Sequence, residues 1–162
     1  MRMTEQRDGL RCATPCARLH DADRLTGECR PSVRYSSGQG IMGGQISAEF
    51  EITERSRRGC EISGYPVIRM IDGRGRQLST HVRQRTDYPA TLLRLRRDHP
   101  IYFNVQYRWR TADAQATCRP APHALRLRLP ADDRTLTVPV DGTAVQLRIF
   151  TPCNGELWIG PL

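Results

Sequence analysis

Cys12, Cys16, His20 and Cys29 form a Cys-x3-Cys-x3-His-x8-Cys series. Three thiolates and an imidazole are a donor set that can hold zinc tetrahedrally. The spacing matches no standard finger, and a metal here would take Cys29 from any other bond. The other cysteines, Cys60, Cys118 and Cys153, follow at wide, irregular gaps, and no Cys-x-x-Cys pair occurs. In a chain of 162 residues such gaps fit disulfides made in an oxidising compartment better than a metal cluster. They leave the pairing open. The expectation is disulfides and no metal, with the Cys12, Cys16, His20 and Cys29 set as the alternative.

Catalytic residue sets are weaker still. The four histidines are His20, His81, His99 and His123. Hydrolytic chemistry needs one of them beside a nucleophile and an orienting carboxylate. Ser63 and Ser79 lie in no nucleophile-elbow setting, since Gly-x-Ser-x-Gly is absent. Asp132-Asp133 could serve as paired carboxylates, but their setting, LPADDRTL, reads as a solvated turn. No phosphate-binding loop or dinucleotide fingerprint appears. No catalytic residue and no cofactor is expected, and the chain reads as a non-enzyme.

Charge offers a third kind of chemistry. Lys and Arg total 25, all of them arginine, and the net charge is +8. A basic surface attracts nucleic acid, anionic envelope polymers, lipid headgroups or an acidic protein. The arginines are scattered along the chain, and a GC-rich genome produces the same lysine-free composition. Aromatic residues make up only 6%, which argues against a stacking platform for single strands. Arg126 and Arg128 share the outward face of one strand pattern, with Arg108 and Arg148 on similar faces. These four form a candidate face for an anionic partner, set against the plainer reading of a solvated strand face.

The elements that must position these residues are strands. QISAEFEI places Ile46, Ala48, Phe50 and Ile52 on one face, and IYFNVQYRW does the same with Ile101, Phe103, Val105, Tyr107 and Trp109. VIRMI reads as a strand covered on both sides and QLSTHV as a weak one. ATLLRL, ALRLRLP, TLTVPV, AVQLRIF and ELWIG continue the pattern, separated by turn signals such as SSGQGIMGG and DGRGR. About nine short strands at this spacing indicate an all-β sandwich or barrel. Residues 1–28 show no sustained periodicity beyond a helical turn from Asp21 to Leu25, and read as a mostly irregular arm before a domain at 29–162. No run is long enough to span a membrane. The opening MRMTEQRDGLRC has no apolar signal region, at odds with the oxidising compartment that the cysteines imply; the cysteines are given the greater weight.

GCEISGYPVIRMIDGRGRQL, with CRPAPHALRLRLP and CNGELWIGPL further on, resembles the family called domain of unknown function 4232. That family occurs mainly in exported proteins and lipoproteins of high-GC Gram-positive bacteria. The resemblance covers roughly Cys29 to Leu162, with Cys29, Cys60, Cys118 and Cys153 on the family's cysteine pattern. It implies an immunoglobulin-like antiparallel β-sandwich outside the cytoplasm and supplies no established activity. One departure lies at the end of a strand, where Thr53-Glu54 replaces the family's frequent Thr-Asn. The arm with Cys12 and Cys16 falls outside the pattern.

Within this frame Gly64, Tyr65 and Pro66 make a structural corner. Gly64 accepts positive φ, Pro66 fixes its own φ and extends Tyr65, and the tyrosine hydroxyl can bond to nearby backbone. If a first strand through Val33 and Tyr35 pairs antiparallel with QISAEFEI, Cys29 and Cys60 lie close, so Cys29–Cys60 is the first expected disulfide. Cys118–Cys153 is the second, since both flank C-terminal strands, and Cys12–Cys16 would close a short loop. Each would contribute about 2–4 kcal/mol, less for the tightest loop. The expected role is a non-enzymatic exported binding module of the cell envelope or extracellular space, facing a protein or an anionic envelope component. The alternative is a cytoplasmic zinc- or nucleic-acid-associated module with reduced cysteines.

Overall fold

A computed structural model describes residues 29–57, 59–109, 118, 120–130, 132–141 and 150–162. The proposed arm at 1–28, with Cys12, Cys16 and His20, lies outside the described residues, as do Arg148 and most of the AVQLRIF pattern.

Ten strands follow in chain order among the described residues. They are β1 (Pro31–Ile41), β2 (Gln45–Glu54), β3 (Cys60–Ile62), β4 (Val67–Ile71), β5 (His81–Gln84), β6 (Leu93–Leu95), β7 (Ile101–Arg108), β8 (Ala124–Arg128), β9 (Leu136–Pro139) and β10 (Glu156–Ile159). They form a five-stranded sheet in the order β1-β2-β7-β10-β5, a two-stranded sheet β3-β6 and a three-stranded sheet β4-β8-β9. The fold is all-β, as the sequence indicates, and the sheets close no barrel. One pairing departs from the antiparallel expectation: β5 runs parallel to β10, with His81 opposite Glu156 and Gln84 opposite Ile159.

The period-two segments become the centre of the large sheet. Phe50 of β2 pairs with Phe103 of β7, and their rings stack at 5.2 Å. Phe150 packs on Tyr107 with ring centroids 4.5 Å apart. The inner faces of all three sheets feed one apolar cluster that includes Ile62, Leu95, Leu125, Leu127 and Leu157, an arrangement compatible with a sandwich. Alternation works because every second side chain of a strand turns inward.

Two readings of the sequence need correction. The glycines of SSGQGIMGG do not all sit in a turn: β1 runs on to Ile41 past a bulge between Tyr35 and Ser37. The reversal itself uses Gly43 and Gly44, both at positive φ. VIRMI is covered on one side only until its last residue, Ile71, which is buried. Ile68 and Met70 are buried, whereas Val67 and Arg69 are exposed, because the outer face of the three-stranded sheet meets solvent.

Candidate binding surface

The corner between β3 and β4 is built from backbone restrictions. Gly64 has φ 114°, a conformation side chains resist, and its carbonyl accepts a 2.9 Å bond from the Leu162 N–H. Tyr65 donates its hydroxyl to the Arg85 carbonyl at 2.9 Å. Arg85 in turn donates its N–H to Ile159 of β10 at 2.8 Å. Pro66 is buried and leads into β4. The corner therefore locks the chain end and the residue after β5 onto the large sheet.

Cys29 and Cys60 are joined in a disulfide with 5.8 Å between their Cα atoms. Cys118 is joined to Cys153. Buried Glu54 stands beside the first bridge, its carboxylate accepting the Arg30 N–H at 2.9 Å and the Ser56 N–H at 2.7 Å. An asparagine carbonyl could accept the same bonds, so the departure from Thr-Asn keeps the acceptor and adds a charge. Cys29, Glu54 and Cys60 lie close enough to share a metal ion. With both sulfurs in the disulfide, neither offers a thiolate, and the four-ligand zinc alternative likewise loses Cys29. At the second bridge Asn154 and Gly155 take positive φ, and a Cβ at Gly155 would collide with the Ser79 carbonyl oxygen.

The structure divides the four arginines of the proposed face. Arg126 and Arg128 point outward from β8. Arg108 lies on the other sheet, its guanidinium 6.0 Å from the Trp158 ring centroid, and Arg148 lies outside the described residues. In their place the register brings Arg69 of β4 directly opposite Arg126 and sets Val67 opposite Arg128. Arg69 donates to the Gln77 side chain at 3.2 Å and Arg126 to the Gly75 carbonyl at 3.4 Å. The nearby turn is electrically closed. Asp72 accepts the Arg76 and Arg74 N–H groups and pairs with the Arg76 guanidinium at 2.8 Å. These bonds, led by the Arg76 backbone N–H, hold its carboxyl below the usual range. Among the described residues no carboxylate pairs with Arg69, Arg126 or Arg128. Arg69 is the single polar residue in an otherwise apolar run, and it is the signal in the sequence that this face of VIRMI meets solvent.

Asp132 is not a solvated turn residue. It is buried while Asp133 is exposed, and Arg134 folds back to bond it twice at 2.9 Å. Burial, the largest influence, pushes the Asp132 carboxyl up, but the combined bonds and charge of Arg134 leave it lowered. The histidines separate the parts a hydrolase would combine. His81 Nε2 is 3.1 Å from Ser79 Oγ, while His123 Nδ1 is 2.6 Å from an Asp141 carboxylate oxygen. His99 Nδ1 meets Asp98 at 3.2 Å. Among the described residues no histidine contacts both a serine and a carboxylate.

These features define a disulfide-tied all-β domain with a basic outer sheet. Its family is shown directly: residues 26–162 match the family model described as Domain of unknown function (DUF4232), and the chain belongs to that family. No curated protein and no solved structure gives a significant match. Among the described residues no helix is long and apolar enough to cross a membrane.

Proposed function

We propose that the domain is a non-enzymatic binding module that works outside the cytoplasm and receives an anionic partner on the outer face of β4 and β8. The observation that carries this reading is the placement of Arg69 directly opposite Arg126, with Arg128 two residues further along the same face. Like charges directly opposite destabilise a sheet, and an anion between them removes that cost. The disulfides support an oxidising location.

The test uses the full oxidised chain with vesicles of phosphatidylglycerol mixed into phosphatidylcholine, against vesicles of phosphatidylcholine alone. Binding is expected only to the anionic vesicles and should weaken as salt rises. Arg126→Gln and Arg128→Gln should each weaken it about fivefold, the equivalent of ~1 kcal/mol per basic residue near such a surface. Equal binding to both vesicle types, or binding unchanged by either substitution, would sink the proposal.

A further inference from the structure

The chain has ten aromatic side chains, and half of them are in the core. Tyr35, Phe50, Phe103, Tyr107 and Phe150 are buried. Tyr88 and Tyr102 are the exposed exceptions, at 62% and 47%. Both line one groove of ≈ 290 Å³, together with Arg85, Asn104, Gln106 and Gly160. Trp158 sits on the same outer face, since β10 places it opposite Gln106 of β7.

The groove is organised before anything enters it. Arg85 bonds Asp87 through two guanidinium nitrogens at 3.3 and 2.5 Å and lies 5.7 Å from the centre of the Tyr88 ring. That arrangement sets the guanidinium against Tyr88, which forms one wall of the groove while remaining exposed. The Tyr65 hydroxyl holds the Arg85 carbonyl from behind, so the corner supports this wall. On the opposite side the Tyr102 hydroxyl donates to Glu51 at 3.3 Å. Gly160 donates its N–H to the Asn104 carbonyl at 3.1 Å, joining the floor to β7 while leaving the Asn104 amide outward.

The lining chemistry selects the ligand. Its one charged side chain, Arg85, is already matched by Asp87, so the groove offers no net charge to an ion. It offers flat aromatic faces, which take apolar surface, and primary amides, which both donate and accept. A sugar ring has that pair of properties: C–H faces for an aromatic ring and hydroxyls around the edge. We propose that this groove is a saccharide-binding site for an uncharged pyranose chain, with sugar rings on Tyr88 and Tyr102 and hydroxyls on Asn104 and Gln106. The site lies on the five-stranded sheet and is independent of the arginine face of β4 and β8.

The experiment titrates the full oxidised, isotope-labelled chain with cellohexaose and with chitohexaose, following backbone and side-chain amide shifts. Saturable shifts at Tyr88, Asn104 and Gln106 are expected with at least one sugar. A response to chitohexaose alone assigns the amides to acetamido groups; a response to both assigns them to hydroxyls. Tyr88→Ala and Tyr102→Ala should each weaken binding about tenfold, equivalent to ~1.4 kcal/mol. Tyr102→Phe should retain it, and Arg126→Gln should leave it unchanged. The unperturbed amide spectrum of each variant reports that it is folded. The proposal fails if neither sugar produces a saturable shift, if Tyr102→Ala binds as well as the parent, or if a polyproline peptide moves the same amides at lower concentration than either sugar.

Discussion

Asp132 shows how one residue can escape its local sequence. LPADDRTL has the composition of a turn in water, and Asp133 behaves accordingly. Asp132 is drawn inward because Arg134 bonds it and also donates to the Cys29 carbonyl at 2.7 Å, across 105 residues of chain. No local pattern encodes a partner that distant. The pair has a consequence for acid stability. The folded carboxyl of Asp132 is lowered, so the folded state takes up its proton less readily than the unfolded chain does. The resulting stability is present above the unfolded value, about 3.9, and is lost as pH falls through the lower folded value. Asp132→Asn is expected to cost about 1–3 kcal/mol at neutral pH, the usual range for losing a buried bond to a charged group. The deficit should shrink as pH drops below about 4. Urea unfolding at neutral and acid pH checks this: a deficit that stays constant into strong acid would show that the charge of Asp132 plays no part.

Strands with strict alternation and one wet face were legible, and those set by distant pairing were not. β2 and β7 announced themselves because each alternates over a long run and sits in the middle of its sheet. β5 has four exposed residues; its place is given by the parallel register with β10 rather than by a hydrophobic pattern of its own. β4 is legible as a strand, but its exposed outer face, which carries Arg69, is hidden by the apolar residues Val67 and Ile71 beside it. The Arg69–Arg126 pairing makes a prediction about the sheet as well as its partner. Arg69→Thr removes a like-charge pair and supplies a residue that favours strands. It should stabilise the domain by about 0.2–1 kcal/mol while weakening attachment to anionic vesicles. The gain should fade at high salt, where the repulsion is screened. Thermal unfolding at two ionic strengths decides the point. A variant less stable than the parent at low salt would mean that Arg69 contributes packing or its bond to Gln77 rather than repulsion.

Across the described residues of the molecule, two bridges divide the work of holding three sheets together. The first joins Cys29, two residues ahead of β1, to the start of β3, with the two cysteines 31 residues apart in sequence. The second reaches from Cys118, ahead of β8, to the turn before β10, with a separation of 35. Both ends of the second loop were visible as cysteines beside strand patterns, whereas the proposed pairing of Cys12 with Cys16 lies outside the described residues. Because the two loops are nearly equal in length, the chain-entropy account assigns them nearly equal stabilisation, about 3–4 kcal/mol each. Their surroundings differ: the first bridge is packed against buried Glu54, so opening it exposes a thiol or thiolate to a buried carboxylate. Replacing Cys118 and Cys153 together by serine should cost the loop term and, in addition, the burial of a hydroxyl at Cys153, which is buried and has no such carboxylate beside it among the described residues. Replacing Cys29 and Cys60 together should cost about the loop term alone, because serine hydroxyls there can donate to the Glu54 carboxylate and are not left unpaired. Chemical denaturation of the two double variants, with thiol alkylation to establish the bonded state of the parent, measures both terms. Equal losses would show that Glu54 gives the serine hydroxyls no compensating bond. A parent in which Cys29, Cys60, Cys118 and Cys153 alkylate freely without loss of stability would remove the argument for an oxidising compartment and return Cys29, Glu54 and Cys60 to consideration as metal ligands.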